Sequence, residues 1–186
     1  MRLNIGCGNQ FKTKVPADYV NIDFVRDFKP DVVCDLAKER WPFDDNSMDE
    51  GICTHVMEHI GPGYFHFLQE MYRVAKPGAV IHCAVPHPRH DMFLHDPTHV
   101  RPVTIVGLAL FSKRHLKEQM ARTPPNILTP FADMINVDFE LSNIIYKFDA
   151  EVHPAMQAKV EEDRWFCEKY FNNIVFEICF DWTVIK

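Results

Sequence analysis

The sequence predicts an α/β fold built on a largely parallel sheet, and three observations carry that prediction. Short, nearly continuous apolar runs rich in Val and Ile recur through the first half of the chain, as strands buried on both faces do. Between two of them Tyr64, Phe65, Leu68, Met71, Tyr72 and Ala75 repeat at helical spacing, and strand–helix–strand order implies a parallel crossover. The first run ends in Gly6-Cys7-Gly8, a turn where a parallel sheet offers bare backbone to a ligand.

The predicted strands of the first half are residues 2–8, 19–24, 31–36, 49–56 and 79–86. About ten residues, Pro16 among them, separate Gly8 from the second strand, near the lower limit for a parallel connection, so a loop or single turn is expected there. Pro77-Gly78 stops the helix that begins near Tyr64. Residues 86–135 are rich in Pro and His and hold short helical patches, one of them N-capped by Ser112 before "KRHLKEQM". Residues 136–148 and 173–186 alternate as strands do, and Pro154 opens one helix between them, "PAMQAKVEEDRWFCEKYF". Without repeats or linkers, residues 1–186 read as one domain, with 86–135 as its substrate-side cover.

Bulk properties narrow the function. A chain of 186 residues, 47% hydrophobic, suits a single core. No apolar run approaches the ~20 residues that span a bilayer, and "MRLNIGCG" is no signal peptide. The six cysteines lack C-x-x-C spacing and sit in apolar runs, which predicts buried reduced thiols and a cytoplasmic protein. A net charge of −6 argues against broad nucleic-acid binding, and no DNA partner is expected.

Polar residues fall where such a sheet binds its ligand: Gly6 and Gly8 end the first strand, Asp23 the second, Asp35 the third and His55 the fourth. Alone, either carboxylate reads as a turn residue. Together with the glycine turn they describe a nucleoside site, Asp23 accepting from the ribose hydroxyls and Asp35 from an exocyclic amine. A dinucleotide needs a third small residue and a helix N-terminus for its pyrophosphate, but Phe11 stands there and the crossover is short. No G-K-[ST] phosphate loop occurs either, so a nucleoside without phosphates fits better.

The string "LNIGCGN…NIDF…DVVCDL…WPFDDNSMDEGICTHVMEHI…LQEMYRVAKPGAVIHCAVP" resembles class I S-adenosylmethionine-dependent methyltransferases over about residues 2–102. It is most similar to a compact group with L-N-I-G-C-G-N and [ST]-H-V-[LM]-E-H motifs. The resemblance implies a Rossmann-like, seven-stranded, mostly parallel sheet with helices on both faces, a C-terminal antiparallel pair and no N-terminal helices. It also implies that Asn4, Gly6, Cys7 and Gly8 border the methionine part of S-adenosyl-L-methionine, Asp23 the ribose, Asp35 and Leu36 the adenine, and His55 the methionine.

Methyl transfer needs alignment of nucleophile and methyl group, exclusion of water and, for some acceptors, loss of a proton. DNA base-amine enzymes of this kind carry [DNS]-P-P-[YFW] after the fourth strand; "THVM" stands here. Cys7, at the cofactor turn, reads as packing rather than nucleophile. Asp96, His99 and Arg101 match a D-P-x-H-x-[RH] element that borders the substrate side in the compact group, and His99, Arg101 and His59 are the catalytic candidates. The segment His55-Val56-Met57-Glu58-His59 is similar to an E-x-x-E-H segment that holds a divalent metal in some O-methyltransferases, with His55 replacing the first Glu. Because V-[LM]-E-H also occurs in relatives with no metal role, no metal is expected; Glu58, His59 and His55 are the ligands if one binds. Six Lys and Arg against three Asp and Glu in residues 86–125 point to a polar or anionic small-molecule acceptor, with Arg89 and Arg101 as anchors. The resulting expectation is methyl transfer to O or N; the alternatives are an RNA-directed enzyme and a non-catalytic cofactor-binding subunit. No membrane partner is expected, and a homodimer is left open.

Overall fold

A computed structural model describes residues 1–9, 15–149 and 154–186. Seven strands form one sheet: β1 (Arg2–Ile5), β2 (Tyr19–Asp23), β3 (Val32–Val33), β4 (Met48–Thr54), β5 (Ala75–Pro86), β6 (Phe139–Phe148) and β7 (Val175–Val184). Their order is β3-β2-β1-β4-β5-β7-β6. The pairs among β1 to β5 are parallel, whereas β7 runs antiparallel to both β5 and β6. This is the Rossmann-like sheet expected, with β1 and β4 adjacent at the point where strand order reverses.

The helix predicted from Tyr64 is α1 (Tyr64–Val74), which buries Phe67, Leu68, Met71 and Val74 against Leu3, Ile5, Cys53 and Ile81 of the sheet. Each such side chain contributes about 1.5–3 kcal/mol when fully buried. Between β5 and β6 lie α2 (Asp91–His95), α3 (Ile105–Ala109), α4 (Lys113–Met120) and α5 (Phe131–Met134). Ser112 caps α4 as predicted, its hydroxyl accepting from the His115 amide at 3.1 Å. The helix predicted from Pro154 is two helices, α6 (Pro154–Glu162) and α7 (Arg164–Tyr170). Asp163 divides them because its carboxylate caps α7, accepting from the Phe166 amide at 3.0 Å.

Helices lie on both faces: α1 packs on one, and Cys167 of α7 packs with Val175 of β7, which shares the opposite face with Asp181. In the β1–β2 and β2–β3 connections the helical turn among the described residues is Arg26–Phe28, and residues 10–14 lie outside the described ones. The face opposite α1 also carries a polar ladder: Tyr19 and Arg2 bond Glu50, and His82 lies between Glu50 and Asp181. Within 86–135, Val103, Leu108, Phe111, Ala132 and Ile135 are buried, four of them in the main core, so that segment is in part a core layer.

All six cysteines are thiols; Cys7, Cys34, Cys53, Cys83 and Cys167 are buried and Cys179 is half-buried. No described helix is long and apolar enough to cross a membrane.

Candidate active site

The carboxyl ends of β1, β2 and β4 meet at the glycine turn. Gly6 and Gly8 have φ of +66° and +52°, a conformation that L side chains rarely adopt. The amides of Gly6 and Cys7 both donate to the Ile22 carbonyl, at 2.9 and 3.1 Å, which ties the turn to the end of β2. Val56 packs under Gly6, whose added Cβ would stand 2.4 Å from a Val56 methyl. An added Cβ on Gly8 would meet nothing within 4 Å. Beside that open space, Asp23 accepts from the Gly8 amide through one oxygen and the Val25 amide through the other, each at 2.9 Å. Each oxygen keeps a lone pair, so bare backbone and an oriented carboxylate stand together as a nucleoside ribose requires.

Asp35 lies two residues beyond β3, its oxygens held by the Ala37 amide at 3.1 Å and Lys38 at 2.8 Å. The Lys38 hydrogen bond, with the Ala37 amide, holds its carboxyl below the ordinary value despite partial burial. Leu36 is buried in the core, and its carbonyl accepts from the Trp41 indole at 3.2 Å. Cys7 is buried, in keeping with packing. Asn4 is buried on the face opposite α1, and its amide donates to Asn21 at 2.8 Å, bracing β1 against β2.

His55, at φ +54°, begins the segment after β4. Its ring nitrogens meet Glu58 at 3.2 Å and Glu177 of β7 at 3.0 Å. Burial disfavours the charged ring, but the hydrogen bonds to Glu177 and Glu58 outweigh it and raise its pKa to about 9. In return the His55 bond, with Lys147 nearby, lowers Glu177 to about 2. Both ring nitrogens being engaged, His55 is not available as a metal ligand. The side chains brought together are Glu58, His59 and His99, whose ligand atoms all lie within 4.8 Å of one another. Glu58 is fully buried, and its Oε2 has no hydrogen-bond partner among the described residues.

The remaining predicted residues have structural duties. The Arg101 guanidinium donates to the carbonyls of Ile60 and Gly61, both at 3.2 Å, and stacks 4.1 Å over the Tyr64 ring. Arg89 is spent on the Lys169 carbonyl at 2.6 Å and Glu168 at 2.9 Å. His87 and His90 tie the same loop to Glu168 and Asp149. Neither arginine therefore stands as an open anion anchor. Sequence reasoning missed Glu177, 122 residues from His55, for which no local signal exists. It also missed Thr98, although Asp96-Pro97-Thr98 has the spacing of a side-chain turn: Asp96 accepts from the Thr98 amide at 2.8 Å.

The sheet order defines the class of fold: an α/β sheet with the glycine turn and the following carboxylates gathered at its strand ends. Residues 3–83 match the family model of a methyltransferase domain. Fold and match make the chain similar to the class I S-adenosylmethionine-dependent methyltransferases, whose cofactor is S-adenosylmethionine. Among solved structures, a SAM dependent methyltransferase from Archaeoglobus fulgidus is similar at 17% identity and a TM-score of 0.63, covering 98% of this chain and 85% of that one. A chain of the Haloferax volcanii complex between the Trm112 methyltransferase activator and a proposed methyltransferase gives 14% identity and a TM-score of 0.58, over 100% and 82%. The [4+2]-cyclase SpnF gives 15% identity and a TM-score of 0.57, over 100% and 75%. Identities this low establish the shared fold. No curated protein matches the chain in sequence.

Proposed function

We propose that this protein transfers the methyl group of S-adenosylmethionine to an O or N atom of a small polar acceptor. The observation that supports this reading is the meeting of Glu58 and His59, which follow β4, the strand beside the glycine turn, with His99 from the segment beyond β5. Bound there, the cofactor supplies an electrophilic methyl group. Gly8 and Asp23 then hold its nucleoside, while Glu58, His59 and His99 present polar groups toward the acceptor. Because Arg89 and Arg101 are engaged, polar rather than anionic acceptors are the better expectation.

Calorimetric titration with S-adenosylhomocysteine, followed by turnover assays over hydroxyl and amine acceptors, tests the proposal. Binding with no turnover across the library would overturn it. A second reading, dependence on a partner subunit, draws on the activator present in the Haloferax volcanii complex. Turnover that appears only with a co-purifying protein would select it.

A further inference from the structure

The arrangement around Glu58 decides between a proton and a larger cation. His59 Nδ1 lies 2.9 Å from the Thr98 hydroxyl, and that hydroxyl donates to Asp96 at 2.6 Å. Its only hydrogen being committed to the carboxylate, Thr98 accepts from His59 Nδ1–H. His99 Nδ1 lies 2.9 Å from the Phe93 carbonyl, which is an acceptor only, so His99 also carries its hydrogen on Nδ1. Each ring thereby donates from Nδ1, leaving Nε2 as the nitrogen for a ligand. His99 Nε2 stands 4.0 Å from Glu58 Oε1, and the three ligand groups converge within 4.8 Å. Those separations exceed the ~3.2 Å limit of a hydrogen bond, so one shared proton does not bridge them.

They do suit an ion. An ion centred among three atoms 4.8 Å apart would stand about 2.8 Å from each, and closing each by about 0.7 Å reaches the ~2.1 Å of zinc–nitrogen and zinc–oxygen bonds. Two imidazoles and one carboxylate, with histidine Nδ1–H groups held by a carbonyl and by a hydroxyl–carboxylate pair, form the donor set and outer support of a transition-metal centre. Glu58 Oε1 meets His55, while its buried Oε2 has no hydrogen-bond partner among the described residues, the second mark of such a ligand.

We propose that Glu58, His59 and His99 bind one divalent transition-metal ion of the zinc class, with Thr98 and Asp96 as positioning residues for His59. The ligand set replaces His55 of the sequence-based expectation with His99, forty residues beyond His59 in the chain. His59, the exposed member, leaves the open coordination position facing solvent, where an acceptor oxygen can enter. This role for the ion rests on the methyl-transfer reading; the ion site itself stands on the three side chains.

The test is calorimetric titration of chelator-treated protein with zinc chloride, with thermal unfolding followed on the same samples. One equivalent is expected to bind and to raise the unfolding temperature. His59→Ala and His99→Ala should each weaken binding at least 100-fold. Thr98→Val should weaken it about 10–100-fold, the usual effect of losing an outer-shell partner, and Thr98→Ser should restore it. His82→Ala, on the far sheet face, should change nothing. Absence of saturable zinc binding by the wild-type chain at 100 µM (about 5 kcal/mol in affinity terms) overturns the proposal, as does full zinc affinity in folded His59→Ala and His99→Ala. Should those variants not fold, an unshifted wild-type unfolding temperature with zinc overturns it equally. S-adenosylhomocysteine titrated into the metal-free protein keeps the two readings apart: its binding without zinc binding removes the ion alone, and zinc binding without it removes the cofactor reading alone.

Discussion

Gly6 and Gly8 share a left-handed backbone and one tripeptide, yet alanine should affect them in opposite ways. At either position a Cβ at positive φ costs about 1–2 kcal/mol, offset by about 0.4–1 kcal/mol from the stiffer unfolded chain. At Gly6 the new carbon stands 2.4 and 3.0 Å from the two Val56 methyls, so Val56 must move within a packed core. Overpacking of that kind adds about 1–3 kcal/mol, for a net loss of about 2–4 kcal/mol. At Gly8 nothing lies within 4 Å, so the net loss is about 1 kcal/mol or less. With about 2–4 °C per kcal/mol for a chain of this size, Gly6→Ala should lower the unfolding temperature by about 5–15 °C and Gly8→Ala by at most about 4 °C. The new methyl of Gly8→Ala instead occupies the space beside Asp23, so S-adenosylhomocysteine affinity should fall at least tenfold in a well-folded protein. Calorimetric unfolding and ligand titration measure both quantities. Equal unfolding shifts would refute the packing argument, and wild-type ligand affinity in Gly8→Ala would refute the placement of the nucleoside.

Further predictions concern the surrounding side chains. Asp23→Ala should lose S-adenosylhomocysteine binding by at least 100-fold in calorimetry, because the carboxylate that orients the Gly8 amide disappears with the ribose acceptor. Arg101→Met should cost about 1–3 kcal/mol in denaturant unfolding, from two carbonyl bonds and a ring contact, while cofactor affinity stays within twofold. Glu70 accepts from Arg73 at 2.7 and 2.8 Å and from the Trp41 amide at 2.7 Å; although burial opposes the charge, these bonds lower its pKa. Stability from a depressed carboxylate is present above its unfolded pKa and is lost as pH falls through the folded one. Chemical unfolding between pH 6 and 3 should therefore show a steeper loss for wild type than for Glu70→Gln, and parallel curves would discount the pair.

Much of the fold was legible because buried parallel strands need continuous apolar runs, and five such runs with one clear amphipathic helix leave few topologies. The division of residues 154–171 was not, because helical spacing alone does not reveal that the Asp163 carboxylate would cap a second helix. The polar ladder on the face opposite α1 was likewise hidden. Its polar residues alternate with core residues along each strand, and only the register aligns Glu50, His82 and Asp181 into one ladder.

The sequence by itself determined the sheet, the glycine turn and the carboxylates at the strand ends, because backbone conformation and burial pattern are local properties written residue by residue. Tertiary structure alone decided which polar side chains meet. It gave Arg101 to two carbonyls and a tyrosine ring, engaged His55 with Glu177, and brought His99 beside Glu58 and His59. Such meetings depend on distances across strands and loops, which spacing along the chain does not encode.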